Sequence, residues 1–475
     1  MSKLQGNRQA LSGSFPFLIG ANPNRVAPSH VYNGFIAAGL GVGEKSQKIA
    51  KFIRDTSSTL NPPDHVSQSL AGDPQLLRTL AEALVTVLDP DHRVFPSGGS
   101  PFPICPAIVS ENPSDDQFGS QLGAMCSAFS PGLFDELLNA YAKRYRDPVA
   151  VLGSVLNGNF SAEKKDLKND LVKRSLKGSG PLCRDFFDTL ANVLNNTAGR
   201  QYGTLSAQLV SLGRCVYFAS FLAALRMPVF AAQRPKKWQD LKPLFVYGGK
   251  PPGVQSAPAV RLAVRSYSAV VSEIQGSLKA AISEQLEAAS GKVPRAVSKS
   301  SRTKTWIQLA FPKMKDTVCD ALMTEIKSAA ELKSVTNRMT QALYPIEYVA
   351  RAYRTFGRML GMVGPDRGTG NPRFILETPV LGLLAESTLE SGENLAFEDW
   401  IDRVYDRFGI VLGFGRNTDP EELLSNLDRP APLRRALKES HNELRQRLVL
   451  AGLAVEYSDG ETEMVNLGYR TASRK

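Results

Sequence analysis

Histidine is scarce in this 475-residue sequence. Only four histidines occur, and they lie far apart, at His30, His65, His92 and His441. Zinc sites and serine-hydrolase sites draw on histidine, and none of the motifs H-E-x-x-H, G-x-S-x-G or C-x-x-C is present. The sequence therefore disfavours an enzyme and predicts no cofactor. A metal-dependent nuclease stays open as an alternative, because nucleases can lack short motifs.

Cysteine is sparse as well. No two of the five cysteines lie within four residues of each other, so the spacing contains no thiolate pair for zinc. Isolated cysteines are typical of proteins in a reducing compartment, and we expect a cytoplasmic protein. The five are Cys105, Cys126, Cys183, Cys215 and Cys319.

Long apolar runs are missing. A membrane-spanning helix needs about 20 consecutive apolar residues. The nearest candidate, Cys215–Ala232, is interrupted by Arg226 and Pro228, which favours a buried helix. The N-terminal segment MSKLQGNRQALSG lacks the apolar core of a signal peptide. We therefore expect no membrane partner.

Two stretches partly resemble ligand-binding motifs, one for phosphate and one for a metal ion, but match neither. Residues 39–46, GLGVGEKS, are similar to a phosphate-binding loop, but Glu44 stands where a glycine is required before Lys45. A carboxylate at that place would repel phosphate, so a helix-capping turn is the better interpretation. Asp89, Asp91 and His92 could hold a metal, but three polar residues after a helix are more typical of a turn.

Charge is abundant and unevenly distributed. The chain has a net charge of +11, with −3 on residues 1–140 and −6 on residues 376–475. Residues 141–375 therefore carry +20. A basic centre between mildly acidic ends favours a polyanion-binding body. The alternatives are a solvated basic surface and a surface that docks an acidic protein.

The patterns predict a mainly α, multidomain protein with a helical body and a C-terminal winged helix-turn-helix of α+β type. Residues 1–125 form a loop-rich N-terminal region, which contains helical patterns at Glu44–Asp55 and Pro74–Leu88 and a Pro/Gly/Ser segment over 91–123. The other predicted units are a helical domain at 126–289, a basic linker or loop at 290–304, a helical segment packing on the body at 305–375, and the winged-helix module at 391–475.

Three basic segments of the centre are candidates for contact with nucleic acid. The linker is rich in Ser and basic residues and could order on a phosphate backbone. The helix predicted over Pro345–Met362 places three arginines on one face. Residues 234–247 mix basic and aromatic groups, which suits phosphate contact with base stacking. The candidate residues are Lys292, Arg295, Lys299, Arg302, Lys304, Arg351, Arg354, Arg358, Lys236 and Lys237.

The C-terminal stretch predicts helix, short strand, helix, long helix and hairpin. Asp459–Gly460 between alternating runs favours a two-residue type I′ turn. That turn sets Val455 opposite Met464 and Tyr457 opposite Thr462, which gives one apolar face. This order of elements is typical of a winged helix-turn-helix, with the long helix as the recognition helix.

The long helix has two faces in the sequence. Leucines at helical spacing predict the face that packs on the core: Leu433, Leu437, Leu444 and Leu448. A neighbouring basic stripe predicts a surface for DNA: Arg434, Lys438, His441 and Arg445. Because the C-terminal hundred residues are acidic overall, protein docking by this module is as well supported as DNA contact.

The last 75 residues or so resemble the end module of uncharacterised bacterial operon proteins. The resemblance is carried by WIDRVYDRFGIVLG, by L-R-x-A-L-x-x-x-x-x-x-L-R-x-R-L and by the hairpin at Ser458–Gly460. Those proteins accompany helicase-like or ATPase subunits in anti-phage defence islands. The resemblance implies a DNA-associated accessory subunit.

From these patterns we expect a non-enzymatic accessory subunit that binds nucleic acid, with duplex DNA favoured, and contacts other protein subunits. A separate ATPase or nuclease would supply the chemistry. A docking scaffold for an acidic protein and a cryptic metal-dependent nuclease are the alternatives. Because the centre carries most of the positive charge, we expect Lys438→Glu to weaken DNA binding less than charge reversals at Lys299 and Arg302.

Overall fold

A computed structural model describes part of the chain, and the described part is mainly helical with small sheets. It covers residues 31, 35, 47–48, 108–109, 119, 121–123, 205–233, 243–246, 257–292, 299–312, 314, 316–326, 331–365, 370–390 and 392–465. The prediction of a mainly α fold is confirmed. The Pro/Gly/Ser segment is described only at 108–109, 119 and 121–123, and the helix pattern at Pro74–Leu88 lies outside the described residues.

Two long helices form the centre of the fold. Helix α1 spans Leu205–Gln233 and helix α2 spans Pro258–Ser290, with a short strand β3 at Leu244–Phe245 between them. Helix α1 is buried on nearly every side from Cys215 onward, since its sequence is apolar all round. Helix α2 begins with Pro258 at its first position, where the missing N–H removes no helical hydrogen bond.

Four shorter helices pack around this pair. They are α3 at Lys299–Ala310, α4 at Asp316–Ile326, α5 at Leu332–Leu343 and α6 at Ile346–Met359. Tyrosine hydroxyls fix α6 in place, because Tyr267 on α2 donates to the carbonyl of Ala350 at 2.6 Å and Tyr353 donates to that of Ala224 at 2.8 Å. Every described helix is too short or too polar to cross a membrane.

Residues 299–304 are not the loop that the sequence predicts. They begin helix α3, whose inner side buries Thr303 and Ile307. The Ser-rich composition suggested a mobile linker, but Ser costs a helix only a fraction of a kcal/mol per residue, about 0.5 at most, and burial of the apolar side offsets that. The linker prediction is therefore wrong for Lys299, Arg302 and Lys304.

The C-terminal part of the fold is a small sheet covered by helices. A two-stranded antiparallel ladder, β4 at Val363–Gly364 with β5 at Arg373–Phe374, leads into helix α7 at Thr378–Thr388. The elements that follow are β6 at Asn394–Ala396, α8 at Phe397–Phe408, β7 at Ile410–Val411, α9 at Pro420–Leu423, α10 at Pro430–Leu450, β8 at Ala454–Glu456 and β9 at Thr462–Val465.

The sheet order is β6-β9-β8, with both pairings antiparallel. Strand β6, which precedes α8 in the chain, therefore joins the β8–β9 hairpin as the third strand of the sheet. Strand β7 pairs instead in parallel with β3, where the N–H of Leu244 donates to the carbonyl of Gly409 at 2.7 Å. Because β7 and β3 are both fully buried, this pairing ties the C-terminal elements to the centre of the fold.

The hairpin register differs by one residue from the prediction. Ala454 lies opposite Met464 and Val455 lies opposite Glu463. The N–H of Tyr457 donates to the carbonyl of Glu461, so the loop holds three residues and ends at Gly460 in a left-handed conformation with φ +86°. A three-residue loop of this kind adds one residue to the connection. The slip turns Val455 and Tyr457 to solvent, so the predicted apolar face does not form.

Buried polar side chains join the helices of the C-terminal part. The indole of Trp400, which is fully buried, donates to the hydroxyl of Thr388 at 2.8 Å. Arg403 donates to the carbonyl of Thr388 and to Glu393, each at 2.8 Å, and this guanidinium lowers the pKa of Glu393. Positive groups at the end of α7 also complement its helix dipole. Helices α7 and α8 are therefore held in one orientation.

One apolar core runs through both parts of the described chain. It includes Phe218 and Phe221 of α1, Ile274 of α2 and Trp400 of α8. Arg226 is buried within it and donates to the carbonyl of Gly409 at 3.4 Å. Burial lowers the pKa of Arg226 to about 10, which leaves the guanidinium charged at neutral pH.

The N-terminal region contributes one short described pairing. Strand β1 at Gln47–Lys48 pairs in parallel with strand β2 at Ile108–Val109. This contradicts the helix predicted over Glu44–Asp55 at those two positions. Hydrogen bonds from a distant segment override a local helical pattern when the two extended stretches meet.

Candidate nucleic-acid interface

Helix α10 packs on the core with the face that the leucines predict. Leu433, Leu437, Leu444 and Leu448 are each at most 1% exposed, which confirms that prediction. Ala436 and Ser440 complete the buried face. This anchored face fixes which side chains of α10 point to solvent.

The predicted basic stripe lies on the flank of α10 and meets acidic residues of neighbouring elements. Arg434 forms an ion pair with Glu421 of α9, with Nε and Oε1 2.5 Å apart. Arg445 lies 3.7 Å from the carboxylate of Glu456 in β8 and donates to the carbonyl of Gly460 at 3.4 Å. These two arginines therefore form ion pairs within the module, and their contact with DNA stays a prediction.

His441 is the third member of the stripe and is mostly buried. Its ring centroid lies 5.0 Å from that of Phe397 and 6.0 Å from that of Phe414. Burial lowers the pKa of His441, while Glu398 at 4.0 Å acts in the opposite direction. The ring is therefore neutral near pH 7 and adds no positive charge to this face.

A buried carboxylate shapes the loop between α8 and α9. Asp402, 7% exposed, accepts the backbone N–H groups of Asn417 and Thr418 at 2.8 and 3.0 Å. A Cβ at Gly415 would lie 1.8 Å from this carboxylate, so the close approach requires glycine. The loop leads into α9, whose first turn is capped by Asp419. This arrangement positions Glu421 against Arg434.

The outward ridge of α10 is a different set of residues, which we call the α10 ridge: Arg435, Lys438, Asn442 and Gln446. All four side chains are exposed and lie opposite the buried leucines at spacings of three and four. Arg and Lys pair with the acceptors of guanine, and Asn and Gln pair with adenine, in the major groove of DNA. The ridge therefore has the side-chain chemistry of a base-reading surface.

Sequence reasoning found only Lys438 of this ridge. The sequence prediction selected positively charged residues, and these lie on the flank of α10. It did not select the residues on the side of the helix that faces away from the leucines. A helical projection from Leu437 and Leu444 would have identified Arg435, Asn442 and Gln446, because they lie about 180° from the core face. Glu439 lies on the same side but is half-buried, since its carboxylate accepts the N–H of Ala259 of α2 at 3.4 Å.

Helix α6 presents arginines to solvent as predicted. Arg351 and Arg358 are exposed, while Arg354 is half-buried near Tyr267. The opposite face of α6 is held by Phe356, whose ring lies 5.0 Å from that of Tyr217. Two of the three predicted arginines thus stand at exposed positions of a helix that packs on the core.

The remaining predicted residues fall into three groups. Lys292 is exposed just after α2, and Lys304 forms an ion pair with Asp320 at 2.5 Å, which raises the pKa of Lys304. The backbones of Lys299 and Arg302 lie in the first turns of α3, and their side chains are not described. Lys236, Lys237 and Arg295 lie outside the described residues.

Comparisons with known proteins return nothing that matches this chain. No protein family, no curated protein and no solved structure is significantly similar to it. Within the described ranges, no group of three or more His, Cys, Asp or Glu side chains is arranged to hold a metal ion. Both near-miss motifs, the phosphate-loop-like stretch and Asp89–His92, lie outside those ranges.

Proposed function

We propose that this protein is a non-enzymatic, DNA-binding accessory subunit of a multi-protein complex. It binds duplex DNA, while a separate ATPase or nuclease supplies the chemistry. The resemblance of its last 75 residues to the end modules of bacterial operon proteins supports a place in an anti-phage defence system. The observation that carries the DNA-binding proposal is the α10 ridge.

The arrangement around this ridge supports a winged helix-turn-helix at the C-terminal end of a multidomain chain. In this proposal α7 is the first helix, β6 the first strand, α8 the second helix and α10 the recognition helix. The β8–β9 hairpin is the wing, and the order β6-β9-β8 suits that role. The module would then begin near Thr378, before the residue 391 expected from the sequence, and would carry β7 and α9 as an insertion.

In this proposal the body and the ridge have different roles in DNA binding. The body, with a net charge of +20 on residues 141–375, neutralises phosphates and supplies most of the affinity. The ridge carries two positive and two amide side chains, and it discriminates between bases. Glu421 of α9 and Glu456 of β8 each pair with a flanking arginine of α10.

A matched pair of charge reversals tests the role of the ridge. Lys438→Glu and Arg434→Glu change the net charge equally, but only Lys438 stands on the ridge. We expect Lys438→Glu to weaken duplex binding about 10-fold and Arg434→Glu about 2-fold, the sizes expected for a contact and for a general change of charge. Fluorescence anisotropy with a labelled duplex measures both. Because Arg434→Glu also breaks the pair with Glu421, circular dichroism first checks that both variants are folded. With both folded, equal losses, or a larger loss for Arg434→Glu, would reject the ridge as the contact surface.

A further inference from the structure

Strand β8 is the outer edge of the described part of the hairpin's sheet. Strand β8 has β9 as its one neighbour among the described strands. Tyr457 donates to Glu461 and Val465 donates to Leu453, so these odd-numbered positions face β9. Because the bonding direction alternates along an antiparallel strand, Ala454 and Glu456 direct their N–H and C=O groups away from β9. This edge can pair with another extended segment.

Exposed apolar side chains lie on and near the same strand. Val455 and Tyr457 are 42% and 45% exposed, and Leu450 at the end of α10 is 87% exposed. Val455, Tyr457 and Glu463 share the solvent face of the sheet, where the hydroxyl of Tyr457 donates to Glu463 at 2.9 Å. The β8 edge thus combines backbone groups that no other described strand pairs with and apolar contact area, the two features that strand-addition sites use.

The charge of this surface is negative overall, with one guanidinium beside it: Arg445 of α10 lies 3.7 Å from Glu456 and donates to the carbonyl of Gly460. Residues 448–469 contain no Lys or Arg, and Glu456, Asp459, Glu461 and Glu463 follow β8 or lie within the hairpin. A second copy of the chain would bring these carboxylates against their own equivalents, which is unfavourable. DNA would be repelled for the same reason. The charge therefore selects a basic partner.

We propose that the β8 edge docks an extended, basic segment of a partner protein, which adds a fourth strand beside β8. In an alternating partner strand the apolar side chains would lie against Val455 and Tyr457, and the basic ones would lie on the other face of the sheet, on the side of Glu456. This docking site is separate from the α10 ridge and does not depend on DNA binding.

Three synthetic peptides and the full-length protein test the proposal. The probe is a blocked peptide of alternating Lys and Val, six residues long. One control carries N-methyl groups on the edge that faces β8, and the other has Glu in place of Lys. We expect the Lys-Val peptide to bind in fluorescence anisotropy and each control to bind at least about 10-fold more weakly, since one lacks backbone pairing and the other charge complementarity. The exchange of the Glu456 amide hydrogen should also slow.

The variant Val455→Lys places a positive charge on an exposed position of β8 and should weaken the Lys-Val peptide about 5-fold or more. A thermal melt by circular dichroism checks that this variant is folded. Failure of the Lys-Val peptide to bind, or equal binding of the N-methylated peptide, would overturn the proposal. A dimer in light scattering that Val455→Lys dissociates would also overturn it, because a second copy would then be the occupant.

Discussion

The double substitution Arg351→Glu with Arg358→Glu is expected to weaken binding to duplex DNA about 30-fold or more at 100 mM salt, and to do so equally for all sequences. Each arginine stands exposed on α6, which is held rigidly by Tyr353 and Phe356. In the proposed complex with DNA, each reversal removes a phosphate contact and adds a repulsive charge. The slope of log affinity against log salt should also fall in magnitude by about 2, which is one for each phosphate that no longer meets an arginine.

The matched control for this experiment is Arg351→Lys with Arg358→Lys. It keeps both charges on α6, and because phosphate contact depends mainly on charge, binding should stay within about 2-fold of the parent protein. Electrophoretic mobility shift with a random-sequence duplex compares the two variants. Equal binding by the Glu and Lys variants would show that α6 lies away from the DNA.

The variant Trp400→Ala is expected to lower the free energy of unfolding by about 3–5 kcal/mol, the usual range for a buried large aromatic residue. Trp400 is fully buried in the shared core, 6.2 Å from the ring of Phe397. Its removal leaves a cavity between α7 and α8 and deprives the Thr388 hydroxyl of its indole donor. The shift of the urea midpoint, followed by circular dichroism, measures the effect.

Trp400→Phe separates the effect of the cavity from that of the hydrogen bond. It keeps most of the ring and removes the indole N–H, so we expect a loss of about 1–2 kcal/mol. The pair of variants also tests the extent of the core. If unfolding of α1 and α2 were unaffected by Trp400→Ala while the C-terminal helices melted early, the single core that joins them would be contradicted.

Local patterns in the sequence predict the helices and their core faces well. The leucines of α10 and the long apolar run of α1 are buried as expected, because helical spacing alone determines which side chains share a face. The capping residue Asp419 was also predictable, and its carboxylate accepts the N–H of Glu421 at 2.8 Å.

Features that depend on distant partners were not predictable in this way. Strand β7 pairs with β3, about 165 residues earlier in the chain, and nothing near Ile410 indicates that partner. The hairpin register depended on a choice between a two-residue and a three-residue loop, which Asp459 and Gly460 allow equally.

The predicted DNA surface also depends on residues that are distant in the sequence. A count of positive charges favoured the flank of α10, but Glu421, Glu398 and Glu456 come from other elements and face that flank. Sequence spacing cannot place those carboxylates. Once they are placed, the remaining open face of α10 is the ridge with Asn442 and Gln446, residues that a charge-based search passes over.

A salt series tests the central proposal most directly. The affinity of the full-length protein for a labelled duplex is measured by anisotropy from 50 to 200 mM salt, with single-stranded DNA and RNA in parallel. If the basic body contacts six or more phosphates, affinity for the duplex should fall at least about 1,000-fold over this range and exceed that for the other two polymers. An affinity that stays flat with salt, or no binding at 50 mM, would contradict DNA binding and favour the alternative of a scaffold that docks an acidic protein.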